Sequence, residues 1–204
     1  MKRNYWCIKL YRIVVKREKM WYNRDRVVWK MISTKKNVTL YHGSVYRVEK
    51  PKLLPLDSQK DFGQGFYLTT DRQQALNFAK NKMITLGKSA GYINQYYIDS
   101  FDGLNILEFE SADINWLKFI RKNQIMATTY NYDVVIGKIA DDNTRTTLRD
   151  YIRHRYDREA QLRGITAEEV AIERLLPDRL KNQICMHTQI AIDKLKFVKA
   201  SVIR

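Results

Sequence analysis

The chain has 204 residues, 45% of them hydrophobic, with only 8 Gly and 3 Pro, which excludes a largely disordered or fibrous protein and suits one domain with a core plus an appendage. No apolar run is long enough to span a bilayer, and Lys9 and Arg12 interrupt the apolar stretch after Lys2 and Arg3, so neither a membrane span nor a signal peptide is expected. The formal net charge is +15 and unevenly placed: residues 1–36 hold 12 Lys or Arg against 2 acids, a net of +10, and the remaining residues carry +5.

In chain order, 7–15 ("CIKLYRIVV") and 26–32 ("RVVWKMI") are rich enough in β-branched and aromatic residues for strands, with a turn at 23–25. A helix over 17–32 competes, and periodicity does not separate the two. The polar run 33–37 is the expected boundary between a basic segment, 1–36, and a domain, 37–204. Residues 38–44 ("VTLYHGS") read as a buried strand ending at Gly43, followed by a Pro-punctuated loop and a short strand at 66–70 ("FYLTT"). Asp71 is placed to N-cap a helix that Gly87 ends. Strands follow at 91–99 and 104–109, then a helix over 114–123 capped by Asp113, then "YDVVIGKIA" (132–140), whose continuous apolar character suits a strand buried on both faces. Residues 144–163 read as a single helix with Arg145, Arg149 and Arg153 at i, i+4 and i+8, a stripe that a solvated helix face explains most simply. Thr166 and Glu169 have capping-box spacing at the start of another helix, and 183–203 closes the chain as strand, short helix and strand. Strands and helices without regular βαβ alternation predict an α+β fold.

The N-terminal charges are interleaved with Tyr5, Trp6, Tyr11, Trp21, Tyr22 and Trp29. Cations with aromatics can neutralise phosphates and stack on bases, which makes Lys9, Arg12, Lys16, Arg17, Arg24 and Arg26 candidate contacts to nucleic acid or to an acidic partner protein. A small packed element with a solvated basic face is the structural alternative. Cys7 and Cys185 have no metal-type spacing and read as reduced thiols of a cytosolic protein. No phosphate-binding Gly-Lys-Ser/Thr loop is present, and "GQG" at 63–65 lacks the third glycine and the preceding strand of a dinucleotide fingerprint. His42, His154 and His187 lack metal-ligand spacing, and "ADD" at 140–142 suits a turn and helix cap better than a divalent-ion site.

What remains is "LYHGS" followed about 20 residues later by "DFGQGFYLTTD". Tyr41-His42-Gly43 puts an imidazole at a strand end beside a glycine that permits close backbone approach, and Tyr67 offers a flat ring with a polar tip. This combination resembles the His–Tyr–Glu branch of the ADP-ribosyltransferase superfamily, shared by diphtheria-type toxins and poly(ADP-ribose) polymerases. With "YHGS", "DFGQGFYLT", "YDVVIGKIADD" and "QICMHTQ" in that order, the chain more closely resembles a bacterial family of ADP-ribosyltransferase-like proteins, domain of unknown function 3990, over roughly 38–200.

The resemblance implies an ADP-ribosyltransferase-type split β-sheet with flanking helices, and NAD as co-substrate without a metal. It implies NAD-binding roles for His42, Gly43, Ser44, Phe62, Gly65 and Tyr67: His42 on a ribose hydroxyl, the Gly43 backbone on the nicotinamide amide, and Tyr67 stacked on the nicotinamide ring. Gln189 stands where the family has its catalytic glutamate, and is read as an inactivating change in a toxic protein, ahead of a naturally attenuated form. Glu108 and Glu110 are the nearest substitutes by motif, but strand alternation accounts for them better. The expected protein is a cytoplasmic bacterial mono-ADP-ribosyltransferase, the toxin of a toxin–antitoxin or phage-defence module with a neutralising antitoxin partner, modifying RNA, DNA or protein. A non-catalytic protein that binds NAD and a partner is the alternative. RNA 2′-phosphate transfer to NAD is a third possibility, whose distinct basic residues are not located in the sequence.

Overall fold

A computed structural model describes residues 31–53, 60–125, 131–139, 142–175 and 181–204. Residues Met31–Arg204 form one compact unit. The expectations for residues 1–30, including the contacts at Lys9, Arg12, Lys16, Arg17, Arg24 and Arg26, lie outside the described residues, as do Ala140 and Asp141. Of the strand expected at 26–32, the described end is not extended, because Ile32–Thr34 forms a 3-10 turn.

The strands are β1 (Val38–Ser44), β2 (Phe66–Leu68), β3 (Gly91–Ile98), β4 (Ile106–Glu108), β5 (Val134–Lys138), β6 (Asn182–Met186) and β7 (Lys196–Ile203). The α-helices are α1 (Arg72–Leu86), α2 (Ile114–Ile125), α3 (Asp142–Ile152), α4 (Asp157–Arg163), α5 (Ala167–Leu175) and α6 (Gln189–Asp193). Local chemistry sets several ends. The Asp71 carboxylate accepts from the Gln74 N–H at 3.0 Å to open α1, and Gly87 closes it at φ 59°. Asp113 caps α2 through the Trp116 N–H at 2.9 Å, and Thr166 and Glu169 bond reciprocally at the start of α5.

Two sheets result, one ordered β1-β3-β7 and one ordered β2-β6-β5-β4. All pairings are antiparallel except β4 with β5. Strand alternation gives the four-stranded sheet two apolar faces. Phe66, Leu68, Val134, Ile136, Ile184 and Met186 pack with Val38, Leu40, Tyr96 and Ile98 of the three-stranded sheet, so one core lies between the sheets. Val135 and Cys185 point the other way, into a core with Phe62, Trp116, Leu117, Leu148 and Val170 that the helices close. The far face of the three-stranded sheet carries α1. There Gly43 is required for packing, since a Cβ would lie 2.0 Å from the Ala75 carbonyl oxygen. The α+β expectation is met.

The single helix expected over 144–163 is instead two, α3 and α4. The break is a Schellman-type ending: the His154 N–H donates to Tyr151 O and the Arg155 N–H to Asp150 O, both at 3.0 Å. His154 takes the left-handed position, φ 58°, where glycine is usual.

Candidate functional site

The two sheets touch edge to edge at one bridge, where Tyr41 and Thr69 exchange backbone bonds of 2.8 and 2.9 Å. Beyond it β1 and β2 diverge, and the Tyr67 carbonyl loses a ladder partner. His42 fills the gap: its Nδ1 lies 2.7 Å from Tyr67 O, and a carbonyl only accepts, so Nδ1 carries the hydrogen. The Nε2 lone pair is left as an acceptor. The ring rests on Phe66, with centroids 4.5 Å apart. Burial lowers the His42 pKa to about 4; the bond to Tyr67 opposes this, and the charges of Lys60 and Lys82 add to it. His42 is therefore a neutral imidazole at neutral pH.

Tyr67 points to the opposite face of β2. Its hydroxyl donates to Gly63 O at 2.7 Å and accepts from the Phe62 N–H at 3.1 Å, while its ring packs against the helix-side core. Burial holds the phenol far above its ordinary pKa. The Lys60 ammonium stands 5.5 Å over the ring, a cation–π contact. The 61–63 turn is itself tied to α2: Asn123 Nδ2 donates to Asp61 O at 3.0 Å and Gln124 Nε2 to the Asp61 carboxylate at 2.8 Å. Phe62 is fully buried against Phe119 and beside Gly137, so its ring anchors this turn. A Cβ on Gly65 would fall 2.3 Å from Cys185 Sγ, which is why β2 can lie so close to β6 only with glycine there.

The third segment follows β6. Asp133 fastens it, accepting the Thr188 hydroxyl at 2.7 Å and the Asn105 N–H at 2.9 Å, and offering its carbonyl to the His187 N–H at 2.8 Å. The Asn105 bond first, then the Thr188 bond, lowers the Asp133 pKa. Thr188 also caps α6 by accepting the Ala191 N–H at 3.2 Å. Burial lowers the His187 pKa to about 4. Gln189, exposed at the start of α6, donates from Nε2 to Asp193 Oδ1 at 2.7 Å and to Pro51 O at 3.4 Å, and its Oε1 accepts the Leu53 N–H at 3.4 Å.

The fold thus brings His42, Phe66 and the Tyr67 main chain together, with Tyr67 paired to Cys185 on the strand that leads to 187–189. It does not bond Gln189 to His42 or Tyr67. Ser44 ends β1 and accepts the Tyr46 N–H at 3.2 Å. Glu108 accepts the Ile32 and Ser33 N–H groups at 2.7 and 3.0 Å, so its carboxylate holds the 3-10 turn. Sequence reasoning missed Asp133, Asn94 and Asp193. The buried Asn94 accepts the Val48 N–H at 2.8 Å and donates to Tyr46 O at 3.1 Å, fixing the loop after β1. Asp193 stands four residues after Gln189 on a short helix, the one legible signal of that pair. Among the described residues, no group of three or more His, Cys, Asp or Glu is arranged to hold a metal ion, and no helix is long and apolar enough to cross a membrane.

These elements define an α+β protein with a polar cluster where two sheets separate. The chain belongs to the family described as "Protein of unknown function (DUF3990)", whose model matches residues 38–197, a span that includes all three segments of the cluster. No curated protein and no solved structure matches the chain.

Proposed function

We propose that the protein is built to act on NAD as a mono-ADP-ribosyltransferase of the split-sheet type, with nucleic acid ranked ahead of protein as acceptor. The observation that carries this reading is the neutral His42 imidazole at the split between the sheets, bonded to the main chain of the strand bearing Tyr67. In such a transfer the bond between ribose and nicotinamide breaks, nicotinamide leaves with the electron pair, and the acceptor nucleophile bonds the ribose carbon and gives up its proton.

His42 suits a ribose hydroxyl because its Nδ1 hydrogen is committed to Tyr67 O, leaving Nε2 to accept. The stacking role of Tyr67 on nicotinamide rests on the resemblance alone, since its ring packs on the helix-side face under the Lys60 ammonium, and a pyridinium there would have to displace that ammonium. Position 189 is where a carboxylate would stabilise positive charge developing on the sugar. Gln189 supplies an acceptor without charge, which costs on the order of a hundred- to a thousand-fold in rate. A neutralising partner protein fits a chain of this activity.

A second reading, a non-catalytic NAD- and partner-binding protein, draws support from Gln189 itself: both ends of its amide are engaged by Asp193, Pro51 and Leu53. The test is nicotinamide release from NAD by the protein and by its Gln189→Glu variant, with adenylate-labelled NAD and RNA, DNA or protein as acceptor. Turnover with label on nucleic acid is the expected result. No turnover by either form, with NAD still bound, sinks the enzyme and leaves the binding protein.

A further inference from the structure

We infer that the corner formed by α2 and α3 is a docking surface for the sugar–phosphate backbone of a nucleic acid. Its evidence is charge placement. Residues 114–125 and 142–158 hold eight Lys or Arg and three acids, a net of +5, which equals the net charge of the whole chain beyond residue 36. The rest of that region is balanced. Glu168, which accepts the Tyr151 hydroxyl beside Lys118 and Arg121, lowers the corner itself to +4.

On α3 the buried face is Thr144, Thr147, Leu148 and Tyr151, and Arg145, Arg149 and Arg153 lie on the opposite, exposed side. The Arg153 N–H bonds Arg149 O at 3.0 Å, so the helical spacing runs to the end of the stripe. Four residues of helical rise put successive Cα atoms of the stripe about 6 Å apart along the axis. Among the described residues Arg149 and Arg153 have no carboxylate partner, whereas Arg155, Arg163 and Arg174 each have one.

Arg121 extends the surface onto α2. It lies over the Tyr151 ring at 5.3 Å, and its Nη2 donates to His154 Nε2 at 3.1 Å, while His154 Nδ1 donates to the Asp157 carboxylate at 3.1 Å. The His154 ring thus links Arg121 of α2 to Asp157 at the start of α4. A planar, pre-positioned guanidinium beside a single file of regularly spaced ones matches a flexible polyanion with one charge per unit, and the fork geometry of arginine fits phosphate oxygens. The same α2 holds the 61–63 turn that anchors Tyr67.

The inference stands apart from the NAD reading, because binding is measured with no NAD present. The probe is a fluorescein-labelled single-stranded RNA or DNA of mixed sequence, titrated with the full chain at several salt concentrations. Arg149→Glu/Arg153→Glu is compared with Lys199→Glu/Arg204→Glu, an equal charge change on exposed residues of β7 and the end of the chain. The α3 pair is expected to weaken binding by about tenfold or more and to lower the salt slope by about two, with an unchanged melting temperature. The β7 pair should change affinity by less than about threefold. Equal losses from both pairs, no loss from either, or competition by polyglutamate as effective as by RNA overturns it.

Discussion

The two faces of the four-stranded sheet are built from adjacent residues yet serve different ends. The helix-side face is closed: Trp116 is fully buried with its indole N–H on Lys138 O at 3.0 Å, and Tyr67 has both hydroxyl bonds satisfied. The inter-sheet face is equally apolar in its middle but ends at the split, where Phe66 carries the half-buried His42. Tyr67 serves both faces at once, with its side chain clamping a turn on one and its carbonyl holding an imidazole on the other. Polar chemistry therefore gathers where the strand ladder fails and a carbonyl needs a new partner.

The largest effect that tests this contrast is Trp116→Ala, expected to cost about 3–5 kcal/mol in urea unfolding. Phe66→Ala, a comparable truncation at the open end of the other core, should cost less, about 2–3 kcal/mol. Equal losses would mean the inter-sheet face is as sealed as its opposite. Acid comes next. His42 and His187 both have pKa values lowered to about 4 in the fold, so each takes up a proton on unfolding below its ordinary value of 6.5. Their stabilisation is complete above about pH 6.5 and is lost as pH falls toward 4, by up to about 3 kcal/mol each. In urea titrations over that window, His42→Gln should remove about half of the dependence; an unchanged slope would place His42 in water.

Tyr67→Phe strips partners from the Phe62 N–H and the Gly63 carbonyl and should cost about 1–3 kcal/mol while leaving the His42 titration in place. A shift of the His42 titration by that variant, followed by NMR, would show that the two faces are coupled. The smallest effect on stability, about 0.5–1 kcal/mol, is expected for Gln189→Glu, which sets a carboxylate against Asp193 and loses the donor to Pro51 O. Two close carboxylates raise each other's pKa. Any NAD turnover gained by Gln189→Glu should therefore rise with pH, and adding Asp193→Asn should move that rise to lower pH.

Caps and apolar patterning made much of the fold legible, because they are local: Asp71, Gly87, Asp113 and the Thr166–Glu169 pair sit at the helix ends expected of them. The broken helix at His154 was hidden because the left-handed position carries no glycine. The candidate site was legible as segments and not as contacts. Gly43 read as room for a ligand and Gly65 took an NAD-binding role from the resemblance, and their missing Cβ atoms make room for α1 and β6. The staple between Asp133 and Thr188 depends on β5 pairing with β6, a registry that no spacing in the chain encodes.

Cys185 lies on β6 directly across from Tyr67, with its thiol in the helix-side core, and burial pushes that thiol up to about 12. A thiol so placed is inert to alkylating reagents while the helix-side core and the 62–65 turn stay closed over it. Its labelling rate, read on its own peptide by mass, is consequently a clock for the opening of that core, needing no ligand, substrate or mutation at the split.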